Sequence, residues 1–196
     1  MDVDKAAGAV ADLLLALGVD EGEHTANTPM RVATAWRAAL AGYGVDPARH
    51  LARTFTAPPE AGLVILAGIR VRSTCAHHLL PITGTATVAY RPGPGRPIVG
   101  LSKLARVLGD FAARLQVQER LGYQVAHTIQ DTLDPVGAAC VITAAHGCIS
   151  LRGVCQPDTT TTTTALAGCW CMGDPDVASV MAEHRHHLAG RGEAGG

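Results

Sequence analysis

Two short groups of cysteine and histidine contain residues that could perform chemistry. Cys75 and His78 lie three positions apart, and His146 and Cys148 lie two positions apart. Zinc accepts thiolate and imidazole ligands together, and a catalytic zinc site uses three protein ligands and keeps a fourth position for water. Cys75, His78 and Cys148 would form such a set for Zn²⁺. His77 and His146 would then lie near the metal without binding it, where an imidazole can transfer protons near neutral pH.

The remaining cysteines and histidines have a simpler interpretation. Cysteines without a metal usually behave as small hydrophobic residues, and histidines outside a cluster are usually solvated. We expect this of the four cysteines that have no histidine nearby in the sequence: Cys140, Cys155, Cys169 and Cys171. The histidine-rich run at 184–187 is expected to be a solvated helix end. Six cysteines in 196 residues lack the density of a secreted disulfide scaffold, which favours a reduced chain.

A second group of residues suits an anionic ligand. Ser102, Lys103 and Arg106 open a predicted helix, where backbone N–H groups and the helix dipole favour phosphate oxygens. Lys103 and Arg106 are three positions apart and therefore share a helix face. Arg152 would join them beside the metal if a regular strand follows Gly147, because side chains alternate along a strand. Three local cations in a chain with a net charge of −1 suit a polyphosphate.

Gln118 and Glu119 are a weaker signal. They lie at the start of the next predicted helix, where a carboxylate is also favoured simply by its interaction with the helix dipole. Lys103 and Arg106 could likewise simply face solvent. A functional role for all four residues depends on the metal cluster.

Hydrophobic spacing predicts the elements that must position these groups. Helical spacing covers most of residues 4–42, with a break around 18–27, and also residues 101–115, 117–133 and 176–188. β-branched or alternating segments predict strands at 63–71, 86–90, 138–145 and 149–154. The threonine run at 159–164 fits an extended segment. This order predicts an α+β fold with an antiparallel sheet. We expect a helical region and linker over residues 1–60, a catalytic domain over 61–190 and a disordered tail over 191–196.

Composition argues against several classes of protein. The 47% of hydrophobic and 17% of charged residues indicate a globular chain. A net charge of −1 gives no general electrostatic reason to bind nucleic acid or an anionic membrane, and 4% of aromatic residues suggest no stacking platform for single strands. The acidic amino terminus and the lack of a long apolar run favour a cytoplasmic protein without a membrane anchor.

Four blocks of the sequence follow one another in the order seen in one enzyme family. They are Cys75 with His77-His78-Leu79-Leu80-Pro81, Gly100-Leu101-Ser102-Lys103-Leu104-Ala105-Arg106, Gln116-Val117-Gln118-Glu119-Arg120-Leu121, and His146 and Cys148 with Arg152-Gly153-Val154. Together with Thr28-Pro29 and the threonines at 161–164, they make the chain resemble GTP cyclohydrolase I over most of its length. The resemblance implies a tunnelling fold (T-fold), in which a four-stranded antiparallel sheet and two helices form a ββααββ unit preceded by N-terminal helices. It also implies a homodecamer of two stacked pentamers, with active sites between subunits.

The resemblance further implies an activity and a role for each site residue. The family converts GTP and water to 7,8-dihydroneopterin triphosphate and formate, the first step of tetrahydrofolate and pterin biosynthesis. By this resemblance Cys75, His78 and Cys148 bind zinc, and His77, His146 and Ser102 transfer protons. Lys103, Arg106 and Arg152 bind the triphosphate and ribose, and Gln118 and Glu119 recognise guanine. Glu119 can accept hydrogen bonds from guanine N1–H and the 2-amino group, a donor pattern that adenine lacks.

One position departs from the family pattern and leaves alternatives open. Ala76 stands where the family has a glutamate between the cysteine and the two histidines. The chain could therefore be a specialised paralogue that stops at a ring-opened intermediate or acts on another purine nucleotide in a secondary pathway. A zinc-stabilised module that only binds GTP is disfavoured, because binding alone does not require His77 and His146. A related T-fold pterin synthase would be expected to use histidine ligands without the paired cysteines.

Overall fold

A sheet with helices on both faces forms the centre of the molecule. The structure is a computed structural model that describes residues 1–19 and 22–193. In chain order its elements are α1 (Val3–Ala16), α2 (Thr28–Ala39), two 3₁₀ helices (Ala41–Gly44 and Pro47–Leu51), β1 (Thr54–Phe55), β2 (Val64–Cys75), β3 (Pro81–Arg91), β4 (Ile98–Val99), α3 (Leu101–Ala112), β5 (Leu115–Gln116), α4 (Gln118–Leu133), β6 (Gly137–His146), α5 (Gly147–Ser150), β7 (Thr161–Gly168) and α6 (Pro175–Glu193).

The main sheet has the strand order β5-β2-β3-β6-β7. The four long strands are antiparallel and α3 and α4 connect β3 to β6, which confirms the expected ββααββ order of a T-fold. The short strand β5 differs, because it pairs in parallel with the end of β2 and places Gln116 opposite Cys75. The predicted four-stranded sheet is therefore extended by a fifth strand, since the link between α3 and α4 runs beside β2.

Alternation along the strands divides the packing into two layers. Even-numbered residues of β3 and β6, such as Val88 and Ile142, face α3 and α4 in the larger core. Odd-numbered residues, such as Ala89 and Val141, face α6 in a smaller one. The apolar stripe that α3 buries has helical spacing and consists of Leu104, Val107, Leu108 and Phe111. The sheet thus separates two environments, and the predicted site residues of β6 belong to the α3 and α4 side.

The strand predicted at 149–154 is wrong, because β6 ends at His146. His146 pairs with Ile82, and the next residue along β3 is Pro81, which has no N–H group with which to extend the ladder. Gly147 lies against the proline ring, since a Cβ there would be 3.0 Å from Pro81 Cδ. The chain leaves the sheet as the helical turn α5. The strand alternation that was expected to align Arg152 with His146 is therefore absent.

The threonine run supplies the last long strand instead. After α5, Gly153 and Cys155 adopt positive φ values of 65° and 48°. β7 then pairs with β6 from Thr161, opposite Ala144, to Gly168. β-branched side chains suit such half-buried strand positions, so the extended conformation expected for this run is confirmed at 161–164.

The segment that precedes the sheet is only partly a linker. α1 and α2 pack against each other, and the two 3₁₀ helices pack against α3. Leu51 is fully buried in the larger core. The Arg114 side chain donates hydrogen bonds to the carbonyl oxygens of Gly42 and Val45 at 2.9 and 3.0 Å. Residues 41–51 therefore pack as part of the main body, although the sequence placed them in a helical region and linker.

α6 covers the second face of the sheet and buries a histidine there. An ion pair between Arg91 and Asp176 ties its first turn to the end of β3. His184 is 2% exposed, with Nδ1 2.8 Å from Thr87 Oγ1 and Nε2 2.9 Å from Thr143 Oγ1. The prediction of a solvated run at 184–187 is therefore wrong for His184, because this residue faces the sheet.

The carboxyl-terminal helix continues beyond its predicted end. α6 ends at Glu193, so the disordered tail predicted over 191–196 begins within the helix, and residues 194–196 lie outside the described part. Over the described ranges no helix is long and apolar enough to cross a membrane.

Candidate active site

The two cysteine–histidine groups meet at one end of the sheet. Cys75 ends β2, and Cys148 lies in α5 directly after β6. One ligand atom from each of Cys75, His78 and Cys148 lies within 4.8 Å of the other two, and the two Sγ atoms are 4.0 Å apart. Among the described residues, no other group of three or more cysteine, histidine or acidic side chains is arranged to hold a metal. We refer to these three residues as the metal cluster.

A tight turn after β2 presents both histidines of the first group. The Cys75 N–H donates to Leu80 O at 2.8 Å, and the Leu79 N–H donates to Cys75 O at 2.9 Å. Leu79 has a φ of 56°, a left-handed conformation that residues other than glycine rarely adopt. Strain of this kind persists only where the surrounding structure imposes it. His77 and His78 are consequently held on the outside of the turn, exposed to solvent.

The donor set of the metal cluster fits zinc. Tetrahedral coordination with Zn–S bonds of about 2.3 Å separates two sulfur atoms by about 3.8 Å, close to the 4.0 Å observed. Burial raises the pKa of Cys148, as does the neighbouring Cys75 thiol, while the charge of Arg152 lowers it. A bound dication would stabilise both thiolates and offset this cost. Two thiolates and one imidazole would leave a fourth position for water, as catalytic zinc sites do.

Arg152 contacts a residue of the metal cluster directly. Its Nη1 lies 3.1 Å from His78 Nε2, and because a guanidinium can only donate, this imidazole nitrogen accepts the bond. A neutral imidazole on a metal has one nitrogen coordinated and an N–H at the other, so neither can accept from Arg152. Metal binding at His78 would therefore release the exposed Arg152 side chain, which could then contact an anion.

His146 is held through one nitrogen only. Its Nε2 lies 2.7 Å from Gln118 Oε1, and its side chain makes no other hydrogen bond to the described residues. Burial lowers the pKa of His146, and the nearby charge of Glu119 offsets part of this effect. A half-buried, neutral imidazole with a free nitrogen is suited to proton transfer near pH 7.

Two buried glutamines make hydrogen bonds to residues of this site. Gln118 is 2% exposed and Gln116 is 1% exposed. The Gln116 side chain donates to Phe111 O at 2.8 Å, and the backbone carbonyl oxygen of Gln116 accepts from the Ala76 N–H at 2.9 Å. Sequence reasoning gave Gln116 no role, although two glutamines on either side of Val117 in an extended segment were a usable signal. Gln116 therefore ties the turn of the metal cluster to the start of α4.

Glu119 and His77 both have free functional groups. Glu119 is exposed in the first turn of α4 and makes no ion pair or hydrogen bond to the described residues. The His77 ring meets the His78 ring edge to face, with centroids 6.3 Å apart, and is otherwise unpaired over the same ranges. An unpaired carboxylate and an unpaired imidazole are therefore available to a ligand.

The predicted anion-binding residues lie at the start of α3. Ser102 and Arg106 are exposed, and Lys103 is half-buried. Gly100 is the N-cap of this helix in an extended conformation, so the first N–H groups of α3 are open to a ligand. Within the described part of a single chain, none of the three side chains makes a hydrogen bond or ion pair to the metal cluster. One subunit therefore does not join the two groups by direct contacts.

Comparison with known proteins agrees with this arrangement. The family model described as GTP cyclohydrolase I matches residues 6–185. GTP cyclohydrolase 1 of Carboxydothermus hydrogenoformans is 43% identical over 183 residues, which cover 93% of this chain and 94% of that protein. GTP cyclohydrolase 1 of Corynebacterium glutamicum strain ATCC 13032 is 40% identical over 187 residues, which cover 95% of each protein. A match over nearly the whole chain, on a structure with the expected strand order, shows that this chain belongs to the GTP cyclohydrolase I family.

Proposed function

We propose that this chain catalyses the zinc-dependent hydrolytic opening of the imidazole ring of GTP with release of formate, and the rearrangement of the opened product to 7,8-dihydroneopterin triphosphate. The observation that carries the proposal is the metal cluster together with His146, two residues before Cys148, which keeps one nitrogen free. A metal position open to water and a proton-transfer group are thus built on the same end of the sheet.

We assign proton transfer in this reaction to side chains that have an atom without a hydrogen-bond partner among the described residues. Zinc in the cluster would lower the pKa of a water ligand and so provide a nucleophile for C8 near neutral pH. His77 is exposed and would donate a proton to the purine nitrogen that leaves C8 as the ring opens. His146 would assist the opening of the ribose through its free nitrogen. Ser102 would relay a proton during the later rearrangement of the sugar.

Recognition of GTP would use the exposed charges around the metal cluster. The Glu119 carboxylate can accept hydrogen bonds from guanine N1–H and the 2-amino group. Arg152, once released from His78, would join Lys103 and Arg106 on the triphosphate, with the open N–H groups of α3 as further donors. These roles support selection of a guanine nucleotide over an adenine nucleotide.

A second copy of the chain would complete the site, within a homodecamer of two pentamers. The support is that Ser102, Lys103 and Arg106 are accessible yet make no contact with the metal cluster of their own subunit through hydrogen bonds or ion pairs. Co-expression of Cys148→Ser and Lys103→Ala chains tests this. Each variant alone should be inactive, whereas random mixing should restore about one quarter of the sites if they are shared between subunits. No restoration in purified mixed assemblies would place the whole site in one subunit.

Product analysis with the zinc-loaded protein tests the proposed activity. GTP should be consumed with equal amounts of formate and pterin triphosphate formed, as measured by a formate assay and mass spectrometry. ATP, which lacks the N1–H and 2-amino donors, should be left intact. Release of a ring-opened formamido product alone would favour the specialised paralogue, and no consumption of GTP by fully loaded protein would contradict the proposal.

A further inference from the structure

We infer that Gln118 is a positioning residue that holds His146 in its Nε2–H tautomer, and that it does not contact the guanine base. This inference rests on the proposed function, in which His146 transfers protons. It departs from the role that the family resemblance implies for Gln118, and the hydrogen bonds of the amide carry it.

The orientation of the Gln118 amide follows from its partners on two strands. Its Nε2 lies 3.0 Å from Ile142 O, 3.0 Å from Thr161 O and 3.1 Å from Thr163 Oγ1. Backbone carbonyl oxygens can only accept, so the amide atom that faces them must be the NH₂ group. A flipped amide would set its oxygen against the carbonyl oxygens of Ile142 and Thr161, neither of which can donate to it. The Gln118 oxygen is therefore directed toward His146.

The tautomer of His146 follows from that orientation. Gln118 Oε1 lies 2.7 Å from His146 Nε2, and an amide oxygen can only accept, so Nε2 carries the proton. In a neutral imidazole the other nitrogen then holds the lone pair. His146 therefore presents Nδ1, the nitrogen that has no partner among the described residues, as its proton acceptor.

Gln118 is enclosed by partners within the protein and is not open to a ligand. Its side chain is 2% exposed, and both its donor group and its oxygen are used inside the protein. Contact with a base would require it to release β6, β7 or His146. Its neighbour Glu119 is exposed and unpaired, so base recognition from this helix turn falls to Glu119 alone.

The kinetic test separates positioning from binding. In Gln118→Leu, kcat should fall by roughly 10–100-fold, part of what a well-placed acid–base group contributes, while KM for GTP and zinc content stay unchanged. Gln130→Leu is the matched control, because Gln130 lies near the other end of α4 and donates only to Pro135 O. An increase in KM with unchanged kcat would show that Gln118 binds the base and would overturn the inference.

A milder variant guards against misfolding of Gln118→Leu. Thr163→Val removes one of the three acceptors around the amide and leaves both carbonyl oxygens in place. A smaller loss of kcat in the same direction, again without a change in KM, is expected. An increase in KM with unchanged kcat would count against the inference here as well.

A spectroscopic measurement tests the tautomer without any turnover. Zinc-loaded protein with ¹⁵N-labelled histidine should show His146 protonated at Nε2 only, with the signal assigned by its loss in His146→Asn. Gln118→Leu should show a mixture of tautomers, whereas Gln130→Leu should match the parent. An unchanged tautomer in Gln118→Leu would overturn the inference. Failure of the parent protein to open GTP would contradict the proposed function and leave this comparison valid.

Discussion

The two faces of the sheet each hold a histidine, and the protein treats the two differently. On the α6 face, His184 is enclosed and both of its ring nitrogens are hydrogen-bonded, to Thr87 and Thr143. On the α3 and α4 face, His146 is half-buried, and within the described part of the chain only one of its nitrogens has a hydrogen-bond partner, Gln118.

The number of satisfied nitrogens separates a structural histidine from a chemically available one. His184 has no capacity left for a substrate, because both of its ring nitrogens are hydrogen-bonded to threonine hydroxyl groups. His146 keeps one nitrogen free, and the charged or reactive groups near it belong to the same end of the sheet.

Replacing His146 and His184 by the same residue, asparagine, should show the difference between the two histidines most clearly. His146→Asn should lower kcat by roughly 100-fold or more, since a positioned acid–base group contributes at least that much, and should leave the thermal midpoint nearly unchanged. His184→Asn should instead lower the thermal midpoint and leave kcat nearly unchanged, because displaced hydrogen bonds to the hydroxyl groups of Thr87 and Thr143 cost on the order of 1–3 kcal/mol. Turnover and thermal unfolding of both variants check this. A similar loss of kcat in His184→Asn would contradict the division between the two faces.

Glu119 should be the residue on the α3 and α4 face that contributes most to the selection of guanine. In Glu119→Gln an acceptor oxygen becomes a donor that faces a donor, so kcat/KM for GTP should fall by roughly tenfold or more at normal zinc content. Glu183→Gln, an exposed acid on α6, is the control and should change nothing. An unaltered kcat/KM in Glu119→Gln would remove this residue from the site.

Ala76 should have a smaller effect on the same face. A carboxylate beside the cysteine–histidine turn would orient a ligand histidine or a water, and outer partners of this kind commonly contribute roughly 10–100-fold. Ala76→Glu should therefore raise the rate of pterin formation, at the lower end of that range because the metal cluster is already assembled. The rates and products of both proteins are compared under identical conditions. No gain over a parent that already makes only the pterin would mean that Ala76 is neutral.

The smallest effect should be a dependence of stability on pH that comes from the α6 face. Burial lowers the pKa of His184 in the folded protein, and the charges of His187 and Arg185 lower it further. The folded state then resists protonation more than the unfolded chain, whose histidine pKa is about 6.5. This contribution to stability is complete above pH 6.5 and declines as the pH falls through and below that value.

Urea unfolding of the parent and of His184→Leu at pH 8 and pH 5.5 measures this contribution. The difference in unfolding free energy between the two proteins should be larger at pH 8. An equal difference at both pH values would show that the titration of His184 is not linked to folding.

The metal cluster and the main elements could be anticipated because they depend on local signals. Cys75 and His78 lie in one turn. The hydrophobic spacing indicated the order of strands and helices that brings Cys148 to them. The stripe of α3 and the alternation along β6 are likewise short-range patterns.

The failures of sequence reasoning depend on distant partners. His184 lies in a run of polar residues that suggests solvent, yet its partner Thr87 is 97 positions away in the sequence. The strand predicted after Gly147 is missing because its neighbouring strand begins with Pro81, which no local pattern at 149–154 reveals. The role of Gln118 could not be read either, since its partners come from two other strands.

We propose that Cys75, His78 and Cys148 hold a zinc ion that takes part in opening GTP. Zinc content and formate release should therefore be measured together in the parent protein, in Cys148→Ser and in Cys155→Ser, whose cysteine is exposed and outside the metal cluster. The parent and Cys155→Ser should contain zinc in proportion to their subunits and release formate from GTP, whereas Cys148→Ser should lose both properties. Full zinc occupancy with undiminished formate release in Cys148→Ser would contradict the claim.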